Sequence, residues 1–231
     1  MTKLAVFDWN GTLFDDLPAN LDGANNTLAL FDVPPVTTEE YQDRFNFPIL
    51  HFYVNCGIHT DDYLARHEEA AEAFLSVYER EALKCELRDG AIDFLKWLRA
   101  QNVHVMILSN HIRPNVENQL RRFGILELFD GISCNEVADA AMISSLNKQE
   151  RLQDYMSGHN FDLSQSFIIG DSLEEPHIAK QIGLTSINIT GGCLSEKRLA
   201  AHHPDHLVHD FHETRNILQN LWGLPCETAA S

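Results

Sequence analysis

The chain has 231 residues, 44% of them hydrophobic, and a formal charge of −17 from 17 basic and 34 acidic side chains. This suits one large domain, or one carrying a smaller insertion, while the acidic surplus disfavours a nucleic-acid surface, which needs basic patches. There is no run of about 18 apolar residues, so no membrane span is expected.

The first stretch, MTKLAVFDWN, reaches an acid too early for a signal peptide. Leu4 to Phe7 reads as a short buried strand ending at Asp8. It turns at once through Gly11-Thr12 and closes on Asp15 and Asp16, which are expected to cap or hinge the route into the next segment. From about Asp16 to Arg88 the pattern is helical, with no convincing strand. PANLDGANNTLALFDV and TTEEYQDRF read as helices. TDDYLARHEEAAEAFLSVYEREAL reads as one long amphipathic helix, with Thr60 as N-cap and Leu64, Ala71, Phe74 and Tyr78 near one stripe.

Strands and helices then alternate. GAIDFLKWLRAQN puts Ala91, Leu95 and Leu98 on one helical face. Val103 to Asn110 is a second strand, and NVENQLRRFGI a helix. GISC near Gly131 is a weaker strand. KQERLQDYMS is helical, and Gln165 to Ser172 and Thr185 to Thr190 are strands. Gly191-Gly192 reads as a turn. PDHLVHDFHETRNIL reads as a last strand near Leu207, a loop and a terminal helix. A zinc site on His202, His203, His206, His209 and His212 is the weaker reading, since no Cys or Glu spacing supports it. The tail after Pro225 is expected to be disordered. Five scattered cysteines (Cys56, Cys85, Cys134, Cys193, Cys226) form no CxxC pair, which suggests reduced thiols and a cytoplasmic location.

This alternation implies an α/β fold: a parallel sheet covered on both sides. Ligands in such sheets sit beyond the carboxyl ends of the strands, where Asp8, Ser109-Asn110 and Asp171 should converge. Asp8 and Asp171 suit a hard divalent cation. Ser109 and Asn110 supply donors for anionic oxygens. Lys148, 23 residues before Asp171, adds positive charge. An anion and a cation side by side are what phosphoryl transfer requires.

These residues carry a resemblance. FDWNGTLFDD, ILSN, Lys148 and IIGDSLEEPHIAKQIG resemble, in order and spacing, the four motifs of the haloacid dehalogenase superfamily of hydrolases, especially its phosphoglycolate phosphatase-like branch. The resemblance implies a Rossmann-like three-layer core from residues 1–16 and 86–231, with 17–85 as a helical cap of the C1 type. It also implies roles. Asp8 would attack phosphorus and form an aspartyl-phosphate. Mg²⁺ would bind Asp8, the main-chain carbonyl of Asn10, and Asp171, with Glu175 acting directly or through water. Ser109, Asn110 and Lys148 would hold the transferring oxygens, and Arg44, His51 and Tyr53 of the cap are candidate substrate contacts. The expected partner is a small phosphorylated metabolite, with no nucleic acid or membrane, and the chain is a monomer or homodimer.

Asn10 departs from the family pattern, which places there an Asp that protonates the leaving group and then activates water. An amide has no titratable carboxyl. Four readings stay open: a slow or specialised phosphatase; a phosphonate or other C–P or C–X hydrolase of the same fold; a substitution introduced to trap a complex; and a non-catalytic or regulatory binding protein. Against the second, phosphonate hydrolases of this family use a cap lysine, and no lysine lies between Asp16 and Leu83.

Overall fold

The computed structural model describes residues 1–136 and 147–225. The expected disorder after Pro225, like Cys226, falls on residues outside these. Six strands are seen among the described residues: β1 (Leu4–Phe7), β2 (His104–Ile112), β3 (Gly131–Asn135), β4 (Phe167–Gly170), β5 (Thr185–Ile189) and β6 (His206–Val208). They form one parallel sheet in the order β3-β2-β1-β4-β5-β6. The strand order reverses between β1 and β4, and the crevice beyond their carboxyl ends is where such sheets place ligands.

Alternation along the strands sorts the core into two layers. Ala5, Phe7, Val105, Ile107 and Ile169 pack on one face with helices α6 (Ala91–Ala100), α7 (Arg113–Arg122) and α11 (Phe211–Trp222). Leu4, Val6, Met106, Leu108 and Ile168 pack on the other with α8 (Asn147–Ser157) and α9 (Glu174–Ile182). The short helix α10 (Glu196–Ala201) precedes β6. The histidine-rich stretch forms β6 and the start of α11, as its strand-and-helix reading expects.

Between β1 and α6 lie five helices: α1 (Leu17–Leu30), α2 (Thr38–Arg44), α3 (Ile49–Asn55), α4 (Thr60–Ala65) and α5 (His67–Ala82). They surround an apolar cluster that includes Leu28, Tyr41, Phe52, Tyr53 and Tyr63. Thr37 and Glu40 form a reciprocal capping box that starts α2. Two connecting segments run side by side: Asp15 N–H donates to Glu86 O and Arg88 N–H to Leu13 O, each at 3.0 Å.

Two expectations here are corrected. The single long helix is broken at Arg66, whose guanidinium donates to Leu30 O at 3.1 Å and lies over the Phe31 ring. This tertiary contact fixes a corner that periodicity does not reveal, and it leaves Leu64 exposed rather than in the buried stripe. The N-cap position of α4 is His59, not Thr60, and no side chain caps it.

Candidate active site

Asp8 is the first residue past β1. Its N–H donates to Ile169 O at 2.9 Å, which ties the loop start to β4. Its Oδ1 accepts from Trp9 N–H at 2.7 Å, and its Oδ2 lies 3.1 Å from Lys148 Nζ. Lys148, in the first turn of α8, is only 1% exposed. Its ammonium also donates to Glu175 Oε1 at 2.8 Å and lies 3.7 Å from Glu174 Oε2. Burial pulls the Lys148 ammonium down, but the surrounding carboxylates raise it well above its ordinary value, so it stays charged.

Asp171 follows β4 directly. Its Oδ1 accepts from the Thr12 hydroxyl at 3.3 Å and its Oδ2 from Cys193 N–H at 2.6 Å. A Cβ at Gly11 would lie 2.2 Å from Asp171 Oδ2, and one at Gly192 2.1 Å from it, so both positions must lack a side chain. Gly11 also has φ +68°, which glycine adopts without strain. The Gly191-Gly192 turn is thus one wall of the site.

Ser109 and Asn110 lie in β2, which runs to Ile112 rather than stopping at Asn110, with a register shift between Leu108 and Ile112. Such irregularities re-aim side chains. Ser109 Oγ accepts from His111 N–H at 3.1 Å. The Asn110 amide donates to Glu174 Oε2 at 2.9 Å. Arg151, one turn beyond Lys148, donates to Ser109 O at 2.9 Å and to Asn135 Oδ1 at 2.6 Å.

The Asn10 amide nitrogen donates to Asp16 Oδ2 at 2.6 Å and to the Tyr78 hydroxyl oxygen at 2.9 Å. Asp16 also accepts from Gly11 N–H, the Asn20 amide and the Tyr78 O–H, at 2.8–2.9 Å. Burial pushes the Asp16 carboxyl up to about 6 against the pull of these donors. Asp16 was expected to cap or hinge the route into the helices. It occupies the N-cap position of α1 but makes no cap hydrogen bond, because its carboxylate turns back onto the loop.

The family described as haloacid dehalogenase-like hydrolase matches residues 5–189. The chain belongs to this family. It is 26% identical over 207 residues to a phosphoglycolate phosphatase of Synechococcus elongatus, covering 88% of this chain and 91% of that one. It is 25% identical over 221 residues to a phosphoglycolate phosphatase of Pseudomonas fluorescens, covering 91% and 77%. A haloacid dehalogenase-like hydrolase from Streptococcus pneumoniae superposes with a TM-score of 0.76 at 21% identity, covering 94% of this chain and 99% of that one. The chain is thus a hydrolase of this family, similar to proteins named phosphoglycolate phosphatase.

Against the haloacid dehalogenase-like pattern, three expected site residues lie elsewhere. Glu175, expected as a metal ligand, has Oε1 on Lys148 and Oε2 on the N–H and hydroxyl of Ser172, at 3.1 and 2.7 Å. Lys148 and these donors hold it below the usual carboxylate range despite its burial. Its extra methylene carries it past the crevice into an ion pair that backs Lys148. Arg44 pairs with Glu40 at 2.9 Å, and His51 is exposed on α3. Neither lines the cavity above Asp8, whereas Tyr53 does.

Among the described residues, no three His, Cys, Asp or Glu side chains are grouped to hold a metal ion. The hard oxygen donors at the crevice are Asp8, Asp171 and the main chain of the loop between them. Burial pushes the Asp8 carboxyl up to about 8 even with Lys148 pulling it down. The crevice therefore under-compensates this carboxylate, and its chemistry fits one further cation.

Above Asp8 opens a cavity of about 220 Å³, whose lining runs from Asp8, Ser109 and Asp171 up to Tyr41, Phe52 and Phe74 of the helical segment. Sequence reading gives Asp16 only a capping or hinge role and Tyr78 only a place on a helical stripe, and does not single out Glu174 or Arg151. Asp16 lies within a motif and Glu174 beside a motif residue, which was a signal. Tyr78 and Arg151 gave none beyond helical periodicity.

Proposed function

We propose that this chain hydrolyses the phosphate ester of a small metabolite, with Mg²⁺, through an aspartyl-phosphate on Asp8. The observation that carries the reading is the buried Lys148 ammonium 3.1 Å from the Asp8 carboxylate, which itself lines the cavity. Lys148 offsets the repulsion between that carboxylate and an incoming phosphate. Asp8 forms a bond to phosphorus as the ester P–O bond breaks, and the departing alkoxide takes a proton from solvent water. Water then cleaves the aspartyl-phosphate, freeing inorganic phosphate and restoring Asp8. Ser109 offers a hydroxyl to the transferring oxygens.

Asp8, Asp171 and the Asn10 main-chain carbonyl are the residues that would hold Mg²⁺. When bound, the ion supplies charge neutralisation between nucleophile and phosphate. Residues 17–85 act as a cap over a core made of 1–16 and 86–231. The support is the helical segment with its own apolar cluster, joined through paired linkers. The four cysteines among the described residues are free, which fits a cytoplasmic location.

Asn10 stands where the acid–base Asp of the family stands and cannot trade a proton, so breakdown of the aspartyl-phosphate is the slow step. The test is rapid-quench labelling with an activated acyl phosphate and Mg²⁺, beside release of phosphate from a metabolite panel. Labelling that Asp8→Asn abolishes supports the reading. Phosphate binding with neither labelling nor turnover supports a non-catalytic binding protein instead.

A further inference from the structure

The cavity above Asp8 constrains what the phosphate is attached to. Its upper walls are apolar and largely aromatic, with Tyr41, Phe45, Phe52, Tyr53, Phe74 and Leu75 among them. Among the described residues, no Lys or Arg lines it. The cations nearby sit behind the wall and bond to other groups: Lys148 to Asp8, Glu174 and Glu175; Arg44 to Glu40; Arg198 to the carbonyls of Gln42 and Phe45; Arg88 to Thr190 O; and Arg151 to Ser109 O, Asn110 Oδ1 and Asn135 Oδ1, although Nε of Arg88 and of Arg151 has no partner. The one basic group on the wall is His111. Burial pushes it down to about 4, so it is neutral at physiological pH. The acids on the wall, Asp8, Asp16 and Asp171, add negative field.

A carboxylate brought into this space would lose its water and meet no counter-ion, which is the costly case of charge burial. Two buried polar atoms on the wall lack a partner: Tyr63 Oη and His111 Nε2. Each can take one hydrogen bond from, or give one to, a neutral polar atom.

We infer that the substrate is the phosphomonoester of an uncharged alcohol with an aromatic or branched apolar body, and not a phosphate ester bearing a carboxylate. This rests on the phosphatase reading and narrows it, and it separates the chain from relatives named for phosphoglycolate.

The test uses the full chain with Mg²⁺ and three esters whose leaving alcohols are similarly poor: benzyl phosphate, glycerol 3-phosphate and 2-phosphoglycolate. Benzyl phosphate is expected to exceed 2-phosphoglycolate in kcat/KM by at least about tenfold, a difference that one desolvated charge readily supplies. In parallel, thermal shifts are compared for two non-hydrolysable probes, benzylphosphonate and phosphonoacetate, and the first is expected to bind more tightly. Leu75→Arg, which puts a cation on the wall, is expected to reverse both orders. Equal or better binding of phosphonoacetate by the unaltered enzyme would overturn the inference, as would equal or better turnover of 2-phosphoglycolate. Should no ester be hydrolysed, the phosphatase reading fails, while the phosphonate order still decides the character of the cavity. A Leu75→Arg chain that does not fold leaves the wild-type comparison intact.

Discussion

The side-chain amide of Asn10 donates to the carboxylate of Asp16 at 2.6 Å. The pair explains the amide: a carboxyl at position 10 would face a second carboxyl at hydrogen-bond distance, and two such groups cannot both ionise. Asn10→Asp alone is therefore expected to destabilise the fold at pH 8 by about 1–3 kcal/mol, the usual cost of leaving a buried acceptor without its donor. Its gain in turnover is held back by the same clash. The exchange Asn10→Asp with Asp16→Asn keeps one amide and one carboxyl at the corner. It is expected to recover the stability and to raise ester turnover at least about tenfold, the low side of acid–base assistance. Urea unfolding and steady-state rates on the single and double variants check this. Equal behaviour of the two would show that the corner does not couple these residues.

Among the described residues, Lys148 is the sole ammonium placed against Asp8, Glu174 and Glu175. Lys148→Met should abolish labelling of Asp8. It should also cost about 3–5 kcal/mol at pH 8, as removal of one partner from a buried ion pair does. The loss should shrink toward pH 5 as the stranded carboxyls take up protons. Chemical unfolding at the two pH values measures it.

His111 supplies a pH signature. Burial lowers its pKa to about 4, from an ordinary value near 6.5. The folded state therefore holds the neutral ring, and its contribution to stability is complete above about pH 6.5. That contribution is lost as pH falls toward 4. At pH 5 the loss is about 2 kcal/mol. Between pH 7 and pH 5, His111→Phe should lose about that much less stability than the parent. Identical pH slopes in the two proteins would place His111 in water.

Arg198 donates to Gln42 O at 2.9 Å and to Phe45 O at 2.6 Å, and the Gln42 amide donates to Gly192 O at 2.8 Å. These bonds join the helical segment to the loop beside Asp171. Arg198→Ala should raise KM severalfold with a smaller change in kcat, and should speed protease cleavage within residues 17–85. Unchanged KM and cleavage would show that the contact does not hold the segment over the site.

The parallel sheet was legible because its strands are short apolar runs that end in polar residues. Leu4–Phe7 before Asp8 and Phe167–Gly170 before Asp171 are examples. The convergence of Asp8 and Asp171 follows from adjacent parallel strands ending at one edge. Lys148 could be read only as an added positive charge, since it lies on a helix distant in sequence, and its pairing with Asp8 needed the fold. The Asn10–Asp16 contact was hidden because a turn through Gly11 folds a six-residue separation back on itself. The break at Arg66 was hidden because its partner is Leu30, 36 positions away. The pairing of Glu175 with Lys148 was hidden because motif spacing does not show the direction in which a longer side chain reaches.

The side-by-side linkers at Leu13–Asp15 and Glu86–Arg88 have a consequence for the history of such a chain. Because departure and return points are already hydrogen-bonded to each other, whatever is spliced between them closes a loop whose ends the core has fixed. Loop closure grows only by about 0.6 kcal/mol for each doubling of length. A lineage can thus trade one inserted segment for another, or lengthen it, without refolding the sheet that carries Asp8 and Asp171. Whatever is spliced in would have to replace in kind the contacts of Tyr78 with Asn10 and Asp16 and of Gln42 with Gly192.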